Sequence, residues 1–129
     1  MCYTVDMAVV QANEGEWGAQ LRRGVLELCI LAIIGREASY GYQIVTRIAS
    51  AAQLASGEGT IYPLLRRLKR EGLVETFWQE SDAGPPRQYY RLTSKGRGAL
   101  RAMRSEWDAL VAAMAVHLDG ATPRSEVKE

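Results

Sequence analysis

The sequence predicts a mainly α-helical protein with one small β-hairpin. Three observations carry that expectation. Apolar residues recur at helical spacing up to about Leu68. The pattern then turns β-branched and aromatic around a dense turn signal, "SDAGPP". After Thr93 the spacing returns to threes and fours.

Residues 1–19 lack strong periodicity and read as an arm or a partial helix. From Leu21 to Ile34 the chain is apolar almost all round, the mark of a centrally buried helix. "GREASYG" interrupts it. A second helix is expected from about Tyr40 to Ala52, with Tyr40, Ile44 and Ile48 on one side, and "LASGEG" connects to a third. That third helix, about residues 58–71, is the most informative stretch. Ile61, Leu64, Leu65 and Leu68 share one face; Gly59, Tyr62, Pro63, Arg66 and Arg70 gather opposite, with Arg67 and Lys69 on the flanks. Ser56 or Gly57 can cap its start, Glu58 suits the positive helix end, and Gly72-Leu73 reads as a Schellman stop. Pro63 lies too deep for a first-turn proline and should remove one backbone hydrogen bond.

"LVETFWQE" and "RQYYRLT" form the hairpin, with Arg87 directly after its Pro-stiffened tip. Thr93 is the expected N-cap of a last helix reaching about Leu118. Along it Leu100, Met103, Trp107, Leu110, Met114 and His117 make an a/d seam suited to pairing with another helix. The polar "DGATPRSEVKE" is expected to fray. The implied organisation is an arm (1–20), a winged helix-turn-helix unit (21–96), a dimerisation helix (97–118) and a tail (119–129).

Composition narrows the partners. The net charge is only +1, but residues 60–104 hold ten Lys and Arg against four acids, a local net of +6. The longest apolar run, "VLELCILAII", contains Glu27 and falls short of the about 20 residues a bilayer needs. No signal peptide is read at the N-terminus, and two cysteines suit a reducing cytoplasm. No nucleophile motif, phosphate loop or Cys/His cluster suggests an enzyme, a cofactor or a metal. His117, the only histidine, has no companion ligands; it reads as exposed and silent, or as a helix cap or pH-sensitive contact.

In a winged helix-turn-helix the helix before the hairpin enters the major groove of double-stranded DNA. Gly59 would then permit close approach, Tyr62 would donate to a phosphate, and Arg66 would reach a guanine edge or a phosphate. Arg67, Lys69, Arg70 and the wing's Arg87 suit phosphates, Arg87 the minor groove as well. A solvated amphipathic helix would carry the same arginines, so the hairpin and Arg87 are what favour DNA. An adaptor that binds protein, or RNA through Tyr89 and Tyr90, is the alternative.

The segments "YGYQI", "EGTIYPLLRRLKREGL" and "GPPRQYYRLTSKGR" resemble the signature segments of PadR-type transcriptional regulators, a likeness running from about Leu21 to Leu118. The resemblance implies a homodimeric repressor on an inverted-repeat operator, of the short subgroup with a single C-terminal dimerisation helix. It implies DNA contacts at Tyr40, Tyr42, Thr60, Tyr62, Arg66 and Arg87, although Tyr40 and Tyr42 also have a purely packing role open to them. Glu106-Trp107 resembles the "EW" of multidrug-sensing members, whose Trp stacks on planar ligands between subunits. Leu26 and Cys29 would be walls of such a pocket for a small aromatic effector, while an aromatic knob packed in an ordinary dimer seam is the favoured reading of Trp107, since apolar burial alone explains it. Two departures stand out: Gly57, where relatives often carry a better cap such as Ser, and the longer N-terminal arm.

Overall fold

The computed structural model describes residues 3–51, 54 and 56–120, with side chains from residue 15 onward. The elements are α1 (Tyr3–Arg36), β1 (Ser39–Tyr40), α2 (Gly41–Ala49), α3 (Glu58–Arg70), β2 (Val74–Ser81), β3 (Gly84–Leu92) and α4 (Ser94–Leu118). The stretch expected to be an arm or partial helix, from Tyr3 on, is continuous with the first helix. Met1, Cys2 and the tail beyond Gly120 lie outside the described residues.

One side of each helix builds the core. Leu26, Ile30, Leu31 and Ile34 from α1 meet Ile44 and Ile48 of α2, Ile61, Leu65 and Leu68 of α3, and Leu73, Val74, Tyr90 and Leu92 of the sheet. Each fully buried aliphatic side chain contributes about 1.5–3 kcal/mol. The expected inner face of α3 is thus confirmed, with Leu64 half-buried at its margin. Pro63 sits within α3 on the exposed side, and the helix continues through it.

The sheet holds a strand that the sequence reading missed. β3 lies in the middle, with β2 on one side and the two-residue β1 on the other, both antiparallel. Ser39 pairs with Tyr90 and Tyr40 with Tyr89. The second helix therefore starts at Gly41, with Tyr40 as its extended N-cap and the Gln43 side chain accepting from the Tyr40 N–H (3.2 Å). Buried Ser39 is satisfied on both counts: its hydroxyl donates to the Glu37 carbonyl and accepts from Arg47, each at 2.9 Å.

The junction of α3, β2 and α4 is tightly built. Gly72 adopts φ +79°, and the Leu73 and Gly72 amides donate back to the Leu68 and Lys69 carbonyls (2.9 and 3.0 Å), the expected Schellman pair. Thr93 caps α4 as predicted, accepting from the Gly96 N–H at 3.0 Å, while its hydroxyl donates to the Gly72 carbonyl at 2.6 Å. Lys95 donates to the Glu71 carbonyl (2.9 Å). Gly96 is buried here, where a Cβ would collide with the Leu73 carbonyl.

Candidate nucleic-acid interface

The outward face of α3 is assembled by the inward one. With Ile61, Leu65 and Leu68 locked in the core, Gly59, Thr60, Pro63, Arg66, Lys69 and Arg70 are all exposed. Gly57 caps the helix through its backbone alone, its carbonyl accepting from Thr60 and Ile61 (3.0 and 3.1 Å). Among the described residues Arg66, Lys69 and Arg70 have no ion-pair partner. Their charges face solvent.

Arg67 is a correction. Its guanidinium donates to Glu27 of α1 (2.8 Å) and to Glu71 one turn on (2.9 Å). Those two hydrogen bonds, Glu27 first, raise its affinity for the proton. The fork is engaged within the chain, so Arg67 ties α3 to α1 rather than standing ready for a phosphate. The pair also gives a partner to the acid within the apolar run "VLELCILAII".

Four of the predicted residues converge on one concavity of about 600 Å³ between α2, α3 and the hairpin. Tyr40, Tyr42, Tyr62 and Arg87 line it, joined by Trp78. Tyr42 is exposed. Tyr62 is half-buried and lies over the start of α2, where Gly41 makes room: a Cβ there would sit 2.5 Å from the Tyr62 ring. Burial, then the nearby Glu58, pushes the Tyr62 hydroxyl above its ordinary value. Tyr40 packs its ring against Tyr89 (centroids 5.4 Å apart, 71° between planes) and supports the Arg87 guanidinium at 4.5 Å from its centroid. The packing role open to Tyr40 is therefore realised, and it holds a cation in place. Trp78, 69% exposed, drew no argument from the sequence. Strand register was the available signal: Trp78 pairs with Gln88, on the sheet face that also carries Thr76 and Tyr90, while Arg87 pairs with Gln79 on the other.

On the opposite side, α1 and α4 frame two further hollows that share Trp107. One, about 330 Å³, is lined by Leu21, Gly24, Val25, Leu28, Met103 and Trp107, among others; the second, about 490 Å³, includes Ala32, Leu100 and Asp108. The expected walls Leu26 and Cys29 are not part of either. Leu26 is a core residue, and Cys29 is packed against the core, where burial pushes its thiol up. Leu21, Val25 and Leu28 point to α4 because they lie on the neighbouring stripe of the same helix. The seam also divides. Leu100 and Met103 pack partly on the chain's own core, whereas Trp107, Leu110 and Met114 are exposed. His117 is exposed too. Among the described residues no cluster of His, Cys, Asp or Glu could hold a metal, and no helix is long and apolar enough to cross a membrane.

Three helices, a hairpin beside the third and a long closing helix define the class: a winged-helix regulator. The profile of the transcriptional regulator PadR-like family matches residues 30–102. A PadR-like transcriptional regulator from Bacillus cereus is 39% identical, with 78% of this chain and 98% of that one covered and a TM-score of 0.73. A PadR family transcriptional regulator from Eggerthella lenta is 32% identical over 90% of this chain and 99% of that one, with a TM-score of 0.74. The PadR of Bacillus subtilis, solved in complex with operator DNA, is 25% identical; 61% of this chain and 46% of that one are covered, at a TM-score of 0.56. The chain belongs to the PadR-like family of transcriptional regulators and is not an enzyme.

Proposed function

We propose that this regulator is a cytoplasmic homodimeric repressor that binds an inverted-repeat operator in double-stranded DNA. The observation that carries the reading is the division of the molecule. Arg66, Lys69 and Arg70, without an ion-pair partner among the described residues, lie on α3 near Tyr42, Tyr62 and Arg87; exposed Trp107, Leu110 and Met114 lie along the far end of α4. The first group suits a polyanion; the second suits a second copy of the chain. The operator complex of the Bacillus subtilis relative supports the same direction.

In this reading each α3 enters one major-groove half-site, with Arg66 and Thr60 toward base edges or phosphates and Lys69 and Arg70 on phosphates. The hairpin reaches the adjacent minor groove, and paired α4 helices set the half-sites about one DNA turn apart. A planar aromatic effector seated on Trp107, between α1 and α4, would release the operator only by preferring a dimer geometry that mismatches this spacing. Footprinting across the gene's own upstream region tests the proposal. Two-fold symmetric protection is expected, weakening steeply with salt. Absence of any salt-sensitive binding to duplex DNA would overturn it. A panel of planar aromatic compounds added to the protected complex tests the effector.

A further inference from the structure

We infer that the concavity between α3 and the hairpin is the seat of one DNA sugar–phosphate strand, and that Trp78 is a contact residue within it. The inference rests on the operator-binding reading and adds the path of the strand. If α3 occupies the major groove and the hairpin lies over the neighbouring minor groove, the backbone dividing those grooves must pass between the two elements. The concavity of about 600 Å³ lies at that place.

Its chemistry fits a sugar–phosphate rather than a base edge. Among the described residues no carboxylate lines it; its polar side chains include the phenols of Tyr42 and Tyr62 and the Gln88 amide, all able to donate to phosphate oxygens, with Arg87 at its edge. Tyr40 fixes Arg87 by holding its guanidinium at 4.5 Å from the ring centroid. Trp78 supplies the apolar wall. Its indole is 69% exposed on an eight-residue strand and makes no ring or cation contact with another described residue. An uncovered indole beside a row of donors matches a deoxyribose, whose CH edges are apolar while its phosphate is anionic. Such a contact is indifferent to sequence and carries no charge. That gives it a signature different from that of Arg87.

The experiment uses the full chain with Trp17→Phe and Trp107→Phe, leaving Trp78 as the sole indole, titrated with the footprinted operator and with an unrelated duplex of equal length. Both duplexes should shift Trp78 emission and shield it from acrylamide. In the parent chain Trp78→Ala should weaken binding to both by about tenfold, from lost apolar contact. The slope of log affinity against log salt should stay unchanged. Trp78→Phe should recover most of the loss. Arg87→Ala, by contrast, should reduce that slope by about one. Trp78 is exposed, so its replacement should leave the melting temperature unchanged. Tight operator binding with Trp78 still fully open to quencher, or a Trp78→Ala chain of undiminished affinity, would overturn the strand path while leaving operator binding intact. A parent chain, with Trp17 and Trp107 in place, that binds neither duplex overturns the operator reading itself.

Discussion

At the scale of single residues, adjacent arginines of one helix have opposite surroundings. Arg66 faces solvent with no ion-pair partner among the described residues, while Arg67 is held by Glu27 and Glu71. Arg67→Ala should therefore lower unfolding free energy by about 1 kcal/mol, because it strands a half-buried Glu27, and Arg66→Ala should stay within about 0.5 kcal/mol of the parent. Urea melts of the two variants check this. In operator binding the order should reverse, with Arg66→Ala the more damaging. The sequence placed both on the outer half of a helical wheel and could go no further, since the deciding partner of Arg67 lies 40 positions away. Cys29 makes a second residue-scale prediction. Burial raises its thiol above the ordinary value, so the neutral form's contribution to stability is complete below the unfolded value and fades as pH rises through the folded one. With Cys2→Ser in place, iodoacetamide should label Cys29 far more slowly in the folded chain at pH 8 than in urea. Comparable rates would mean that the thiol is open.

Between elements, the corner where α3 ends and α4 begins fixes the cationic helix against the rest of the chain. Thr93 caps α4 and bonds the Gly72 carbonyl, so one side chain joins two helix ends. Gly96 allows the first turn of α4 to touch the Leu73 carbonyl, and backbone cannot swing aside as a side chain would. Gly96→Ala should cost about 3 kcal/mol, at the upper end of overpacking penalties. Gly98→Ala, with only the tip of Arg101 nearby at 3.9 Å, should be neutral or mildly stabilising. Thermal melts of the pair separate the close-approach argument from simple helix propensity. The cap and the Schellman stop were legible because Thr and Gly in those places have local causes. The role of Gly96 was not, since a glycine in a helix looks the same whether or not a carbonyl lies against it. β1 escaped for a similar reason. Ser39 and Tyr40 look like the run-up to a helix, and only pairing with Tyr90 and Tyr89, some fifty residues later, makes them a strand.

For the molecule as a whole, the outer half of α4 is the unresolved energetic problem, and it bears directly on regulation. From Arg104 to Leu118 every residue is exposed, including Trp107, Leu110, Val111, Met114, Val116 and Leu118. About four turns of helix with an uncovered apolar stripe gain little from propensity alone; most helical stability comes from packing such a face. The seam was visible in the sequence as a spacing of threes and fours. Its division between Leu100 and Met103, shared with the chain's own core, and the exposed remainder depended on where α1 crosses α4. A second copy covering that remainder would stabilise the helix and fix two α3 helices at one separation, so folding, self-association and operator spacing become one linked equilibrium. Leu110→Asp with Met114→Asp should then do three things at once. Sedimentation should shift toward monomer, helical circular dichroism should fall by the outer turns of α4, and operator affinity should drop steeply because two half-sites no longer bind as a unit. The core of Leu26, Ile30, Ile44 and Leu65 is untouched by those changes, so the winged unit should still melt cooperatively. A double variant that stays dimeric with full operator affinity would place the self-association surface elsewhere, and Trp107 could then no longer transmit an effector's preference from one subunit to the other.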